Sequence, residues 1–261
     1  MPETEHFDKV VAHAEESLIP YRREAKNRAE LLQLYRTFIK KENHRIRLLH
    51  RAGGGGVEIA RRRSTLLDVV INDLLSAALE ERGLDQTPAA NQALTLVASG
   101  GYGRGVLNPG SDIDLLFLLP KSTRSISDQA KETIEEILMM LYDVGFKVGH
   151  AVRSISEACK FANQDHQTKT ALLDARFIAG DAELFEEFNA AFFKSCLKGQ
   201  ENAYLAERSR DIRARHKKWG RTIHLQEPNV KEGCGGLRDY HNLIWVLWVL
   251  RRSRDLEALV S

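Results

Sequence analysis

The segment Leu94-Thr95-Leu96-Val97-Ala98-Ser99-Gly100-Gly101-Tyr102-Gly103-Arg104-Gly105-Val106-Leu107-Asn108-Pro109-Gly110-Ser111-Asp112-Ile113-Asp114-Leu115-Leu116-Phe117-Leu118-Leu119 marks the point where a helical N-terminal part gives way to a sheet. Leu94–Ala98 is a short apolar run with β-branched members, stopped by Gly100-Gly101, and predicts a buried strand. Ile113–Leu119 is apolar nearly throughout and is ended by Pro120, which predicts a second strand. The residues between them are rich in Gly, Asn and Pro and predict a loop.

Upstream, residues 8–50 are charged and helix-prone, with Leu31, Leu32, Leu34, Tyr35 and Phe38 at helical spacing. Gly53–Gly56 interrupts this pattern. A second helical stretch comes next, burying Ile59, Leu66, Leu67, Val70, Ile71, Leu74 and Leu75 and ending near Gly83; residues 85–90, with Pro88, form a linker. Downstream, residues 128–144 return to helical period through Ile134, Ile137, Leu138 and Leu141. Residues 145–152 predict a third strand, and the chain is mostly helical from Ser156 on. The expected architecture is α+β: a small mixed sheet flanked by N-terminal and C-terminal helical modules, divided as 1–90, 91–160 and 161–261.

The bulk composition excludes several classes. With 38 basic against 36 acidic residues the net charge is +2, so phosphate binding must come from local geometry, and a nucleic-acid binder is not indicated. Cys159, Cys196 and Cys234 follow no metal-ligand spacing and read as reduced thiols. The polar start Met1-Pro2-Glu3-Thr4-Glu5 is not a secretory signal, and the longest apolar run, Leu243–Leu250, is too short to span a membrane. A cytoplasmic enzyme is the expectation.

The chemistry lies in the opening segment. Side chains two apart on a strand share a face, so Asp112 and Asp114 present two carboxylates together while Ile113 turns into the core. Paired oxygen ligands suit Mg²⁺, which takes one or two carboxylates plus substrate phosphates. Two such ions about 4 Å apart can hold the attacking and leaving oxygens of an in-line displacement. Gly100 and Gly101 lack Cβ atoms, so backbone amides can approach a phosphate, and Arg104 can add a charge-assisted contact. A Gly-Gly pair alone is an ordinary turn, and Asp-x-Asp alone an ordinary strand edge. Strand, Gly-Gly, loop, Ser-Asp-Ile-Asp and strand in that order are specific.

This arrangement resembles the signature of the polymerase-β-like nucleotidyltransferase superfamily. Within it, Gly100–Gly105 with Pro109, Ser111, Asp112, Ile113, Asp114 and Leu115 is similar to the bacterial PII uridylyltransferase/uridylyl-removing enzymes. Leu141–His150, Leu172–Asp181 and Glu227–Asp239 resemble that family's third-strand region, its following helical segment and its Lys-Glu-Gly-x-Gly-Gly-Leu-Arg-Asp motif; the likeness runs over residues 60–255. It implies that Asp112 and Asp114 bind two Mg²⁺ ions and are catalytic. It implies that Ser99, Gly100, Gly101, Arg104, Ser111 and Lys231 hold UTP. A PII signalling protein would accept UMP on a tyrosine hydroxyl. The family's His-Asp hydrolase and glutamine-sensing ACT domains have no counterpart in these residues, so the chain reads as a fragment.

The superfamily usually adds a third carboxylate from a neighbouring strand. Lys147 stands where an acid is expected, leaving Asp174 and Asp143 as the candidates. His150 reads as a packed, hydrogen-bonded strand-end histidine. The alternatives that remain are an adenylyltransferase acting on glutamine synthetase or another acceptor, and a nucleotide-binding regulatory module without turnover.

Overall fold

The computed structural model describes residues 2–81, 94–224 and 226–259. The expected helix end near Gly83 and the linker at 85–90 lie outside them. The chain forms two units, one of residues 1–158 and 174–188, the other of residues 159–173 and 189–261.

The first unit opens with four helices: α1 (Pro2–Ser17), α2 (Ile19–Glu24), α3 (Arg28–Arg51) and α4 (Gly56–Glu81). Asn27 starts α3: its side chain accepts from Glu30 N at 3.0 Å, while the Glu30 carboxylate accepts from Lys26 N at 2.9 Å. This reciprocal cap satisfies two amides left without helical partners. The apolar faces of α3 and α4 meet in one core with the sheet, through Tyr35, Phe38, Leu67, Ile71, Leu96 and Phe117.

The sheet has four strands in the order β3-β2-β1-β4: β1 (Thr95–Ala98), β2 (Ile113–Leu119), β3 (Val148–Ser154) and β4 (Arg176–Gly180). β1 runs antiparallel to β2 and β4, and β2 parallel to β3. The α+β class with a small mixed sheet is thus found. A one-turn helix, α5 (Gly100–Gly103), follows β1, and α6 (Asp128–Val144) joins β2 to β3. Ser127 caps α6, accepting from Ala130 N at 3.2 Å.

Two expectations change. The third strand begins at Val148, not at residue 145, because Gly145 adopts φ +104° as the left-handed end of α6 and Phe146 N donates back to Leu141 O at 3.0 Å. The stretch 172–181 is not simply helical. A helix, α8 (His166–Leu173), stops there and Arg176–Gly180 pairs with β1, from Ala98↔Arg176 to Thr95↔Gly180. A half-buried edge strand shows no clean alternation, so helical period ran into it.

The helices α7 (Ile155–Gln164) and α9 (Ala182–Phe192) complete the links between these segments. The second unit contains α8, a π-helical turn at Phe193–Leu197, α10 (Glu201–Lys218) and α11 (Leu237–Arg251). Buried Arg208 joins three of its helices, donating to His166 Nε2 at 2.6 Å and to Asn242 Oδ1 at 3.3 Å. Burial first, and the Arg208 charge second, hold His166 down to about 4, so the ring is a neutral acceptor.

Candidate active site

Where β1 ends, β2, β3 and β4 begin, and the site is built at this end of the sheet. Ser99 N donates to Asp114 O at 3.0 Å, fixing the start of the turn against β2. Along β2, Asp112 is exposed, Ile113 is buried and Asp114 is half-buried, as strand alternation requires.

The Asp114 carboxylate lies between two glycines from different elements. A Cβ on Gly100 would stand 2.9 Å from Asp114 Oδ2, and one on Gly149 the same distance from Asp114 Oδ1. Gly100 also has φ +54°, which disfavours any side chain. Gly149 is the β3 partner of Asp114 across the parallel ladder. The backbone is therefore bare on both sides of this carboxylate. The glycine after β1 makes room for an acid, a role that sequence reading had reserved for phosphate.

Arg104 caps α5 and donates from Nη1 to Asp174 Oδ2 at 2.6 Å. The Asp174 side chain is 0% exposed, so this acid is held by a guanidinium inside the protein. Gly103 packs flat against the same residue: a Cβ there would be 2.0 Å from Asp174 O. The other candidate third acid, Asp143, sits at the end of α6 and pairs with Arg28 of α3 at 2.6 Å. Among the described residues, no three His, Cys, Asp or Glu side chains converge as metal ligands. Ser111 and Lys147 are exposed. His150 is also exposed rather than packed away, with its edge toward Phe117 and Nδ1 3.5 Å from the Tyr142 hydroxyl.

Lys231 belongs to the second unit, where it is exposed in the turn before α11. Asn229 organises that turn by accepting from Lys231 N at 3.1 Å and Glu232 N at 2.8 Å. Asp239, in the first turn of α11, gathers Arg215, Gly235 N at 2.8 Å and His216 Nε2 at 3.0 Å. Burial opposes its charge, and these bonds outweigh burial, holding Asp239 below the usual carboxylate range.

Sequence reading missed Gly149, Asp68 and Arg176. Asp68 and Asp73 interrupt the apolar run Leu66–Leu75 of α4, and acids on a buried helix face need partners. That signal was available for both.

Residues 87–175 match the model of the nucleotidyltransferase domain family, and residues 203–261 match that of the GlnD PII-uridylyltransferase. The chain is similar to the bifunctional uridylyltransferase/uridylyl-removing enzymes over part of their length. It is 40% identical over 204 residues to the enzyme so named from Rhodopseudomonas palustris, covering 78% of this chain and 22% of that one. It is 38% identical over 206 residues to the one from Bradyrhizobium sp., covering 79% and 22%. The chain thus spans about a fifth of the length of the curated relatives it matches. Asp112, Asp114, Arg104 and Asp174 all fall within the nucleotidyltransferase match.

Proposed function

We propose that the chain transfers UMP from UTP to a tyrosine hydroxyl of a PII-type signalling protein, with Asp112 and Asp114 as the catalytic carboxylates. The observation that carries this reading is the lodging of Asp114 between Gly100 and Gly149, beside the exposed Asp112, inside the matched domain. The uridylyl group and the PII acceptor rest on the names of the relatives and of the family matched at 203–261.

Two carboxylates at one strand end are an all-oxygen donor set, which fits Mg²⁺ completed by phosphates and water. When bound, two Mg²⁺ ions would neutralise the triphosphate and favour in-line attack on its α-phosphorus. The protein's own part is positioning and charge. Ser99, Gly100 and Gly101 present backbone to the triphosphate, and Ser111 flanks the carboxylates. Arg104 supplies positive charge and is oriented by Asp174. We assign Asp174 this anchoring role, because a buried carboxylate already neutralised by Arg104 is a poor metal ligand. Asp112, the exposed acid, takes the tyrosine proton as the new O–P bond forms and diphosphate departs.

Among the described residues no helix is long and apolar enough to cross a membrane, and a cytoplasmic location is part of this proposal.

The test mixes the chain with a PII protein, Mg²⁺ and α-labelled UTP or ATP. Label on PII from UTP, blocked by a Tyr→Phe change at the acceptor position, is expected. Label from ATP, or none from either nucleotide, would overturn the proposal.

A further inference from the structure

The turn that faces Asp114 is Gly100-Gly101-Tyr102-Gly103. Three of its four residues have no side chain, and glycine loses more backbone freedom on ordering than any other residue. Tyr102 is therefore the sole side-chain anchor of α5, and it is fully buried.

Its hydroxyl donates to Asp68 Oδ1 on α4 at 2.5 Å. Arg176 of β4 grips the same carboxylate with both terminal nitrogens, Nη1 to Oδ2 at 2.9 Å and Nη2 to Oδ1 at 3.0 Å. The guanidinium also lies 5.3 Å from the centre of the Tyr102 ring, and Nη2 reaches Tyr102 O at 3.4 Å. Burial and the adjacent Asp68 push the Tyr102 phenol well above its ordinary value, so it remains a donor at working pH. The far side of the same loop is tied to α4 as well, by Leu107 N donating to Ala60 O at 2.9 Å.

We infer that Asp68, with Arg176, is a positioning residue for nucleotide binding, acting through Tyr102 to fix the Gly100–Gly103 turn against Asp114. This inference rests on the nucleotidyl-transfer reading of the site and extends it to a helix that precedes the matched domain. A turn made of glycines needs an external template, and a bidentate, charge-assisted pair beneath its one side chain supplies it. Small misplacements of such a turn are costly to catalysis.

The structure contains its own control. Tyr35 donates to Asp73 Oδ2 at 2.6 Å, beside Arg22, also on α4 but among the N-terminal helices. The experiment compares Tyr102→Phe, Asp68→Asn and Tyr35→Phe in the full chain. It measures the dissociation constant of a fluorescent UTP analogue with Mg²⁺, the KM for nucleotide and for acceptor separately, and Tm. Tyr102→Phe loses one hydroxyl and keeps the ring, so it remains informative if Asp68→Asn fails to fold. The expected result is about 10-fold weaker nucleotide binding in Tyr102→Phe, the size of one lost hydrogen bond to a charged group. The acceptor KM should not move, and Tyr35→Phe should lower Tm without changing nucleotide affinity. Equal nucleotide effects from Tyr102→Phe and Tyr35→Phe, or none from Tyr102→Phe, would overturn the inference while leaving the reading of the site intact. No analogue binding by the unmodified chain would overturn both.

Discussion

Helix α4 carries the same three-part contact twice, and the two copies do different work. Asp68 binds Tyr102 and Arg176; Asp73 binds Tyr35 and Arg22. Five residues of α-helix turn the second acid by about 140° from the first, so each addresses a different neighbour. The Asp73 set is the drier one, with side chains 5% and 6% exposed at Arg22 and Asp73, against 32% and 20% at Arg176 and Asp68. It joins helices to helices, and Arg22 reaches on to Glu80 at 3.0 Å. The Asp68 set joins a helix and an edge strand to the turn beside the candidate reaction centre. The same three residue types are structural in one place and, on the inference above, positional in the other, and what decides between them is the element at the far end of the tyrosine.

The strongest test of this contrast lies at the centre itself. Asp114→Asn is expected to reduce nucleotidyl transfer by about 10³-fold with Tm nearly unchanged, since several kcal/mol of charge stabilisation leave with the carboxylate. Initial rates with labelled nucleotide check it. Gly149→Ala comes next: its methyl would stand 2.9 Å from Asp114 Oδ1, so the carboxylate must move. About 10²-fold loss is expected in rate measurements under saturating nucleotide. Normal rates in Gly149→Ala would mean that the slot around Asp114 is irrelevant.

The structural copy should fail differently. Asp73→Ala removes the acceptor of the buried Tyr35 hydroxyl and one of the two acids facing buried Arg22, leaving Glu80, and breaking such a buried contact costs about 3 kcal/mol. Chemical denaturation should show that loss, and nucleotide affinity should be unchanged in the fraction that remains folded. A selective loss of nucleotide affinity would erase the distinction between the two copies.

The smallest effect is expected where neither copy reaches. Glu157 accepts from Ser154 N at 2.9 Å and Thr123 Oγ1 at 2.8 Å, at the opposite end of β3 from Gly149. The Ser154 amide bond first, then the Thr123 and Ser122 hydroxyls, hold its carboxyl down to about 2. A depressed carboxyl contributes stability above its unfolded value, and this is lost as pH falls through the folded one. Glu157→Gln should therefore lower Tm at pH 7, and the difference from the unmodified chain should close between about pH 4.5 and pH 2. Transfer rates at pH 7 should not change.

Much of this was legible in the sequence where the signal is local. β2 was read as Ile113–Leu119 and α6 as residues 128–144, and both appear at those limits, although Gly145 was read into the third strand and instead ends α6. The shared face of Asp112 and Asp114 follows from the two-residue period of a strand. What escaped was set by long-range pairing. β4 exists because β1 offers it an open edge, which its own residues do not announce. Tyr102 lies 34 residues from Asp68, and Arg176 lies 108 from it, so no spacing rule joins them. Asp174 was recognisable as an acid near the site. That Arg104 would claim it depends on where β4 begins.

The central claim is that Asp112 and Asp114 together hold the divalent ions of nucleotidyl transfer. The most direct measurement is Mn²⁺ binding by electron paramagnetic resonance, with a non-hydrolysable UTP analogue, in the unmodified chain and in the Asp112→Asn, Asp114→Asn double variant. Tight Mn²⁺ uptake that is nucleotide-dependent and lost in the double variant is the predicted result. Equal Mn²⁺ uptake by both proteins would contradict it.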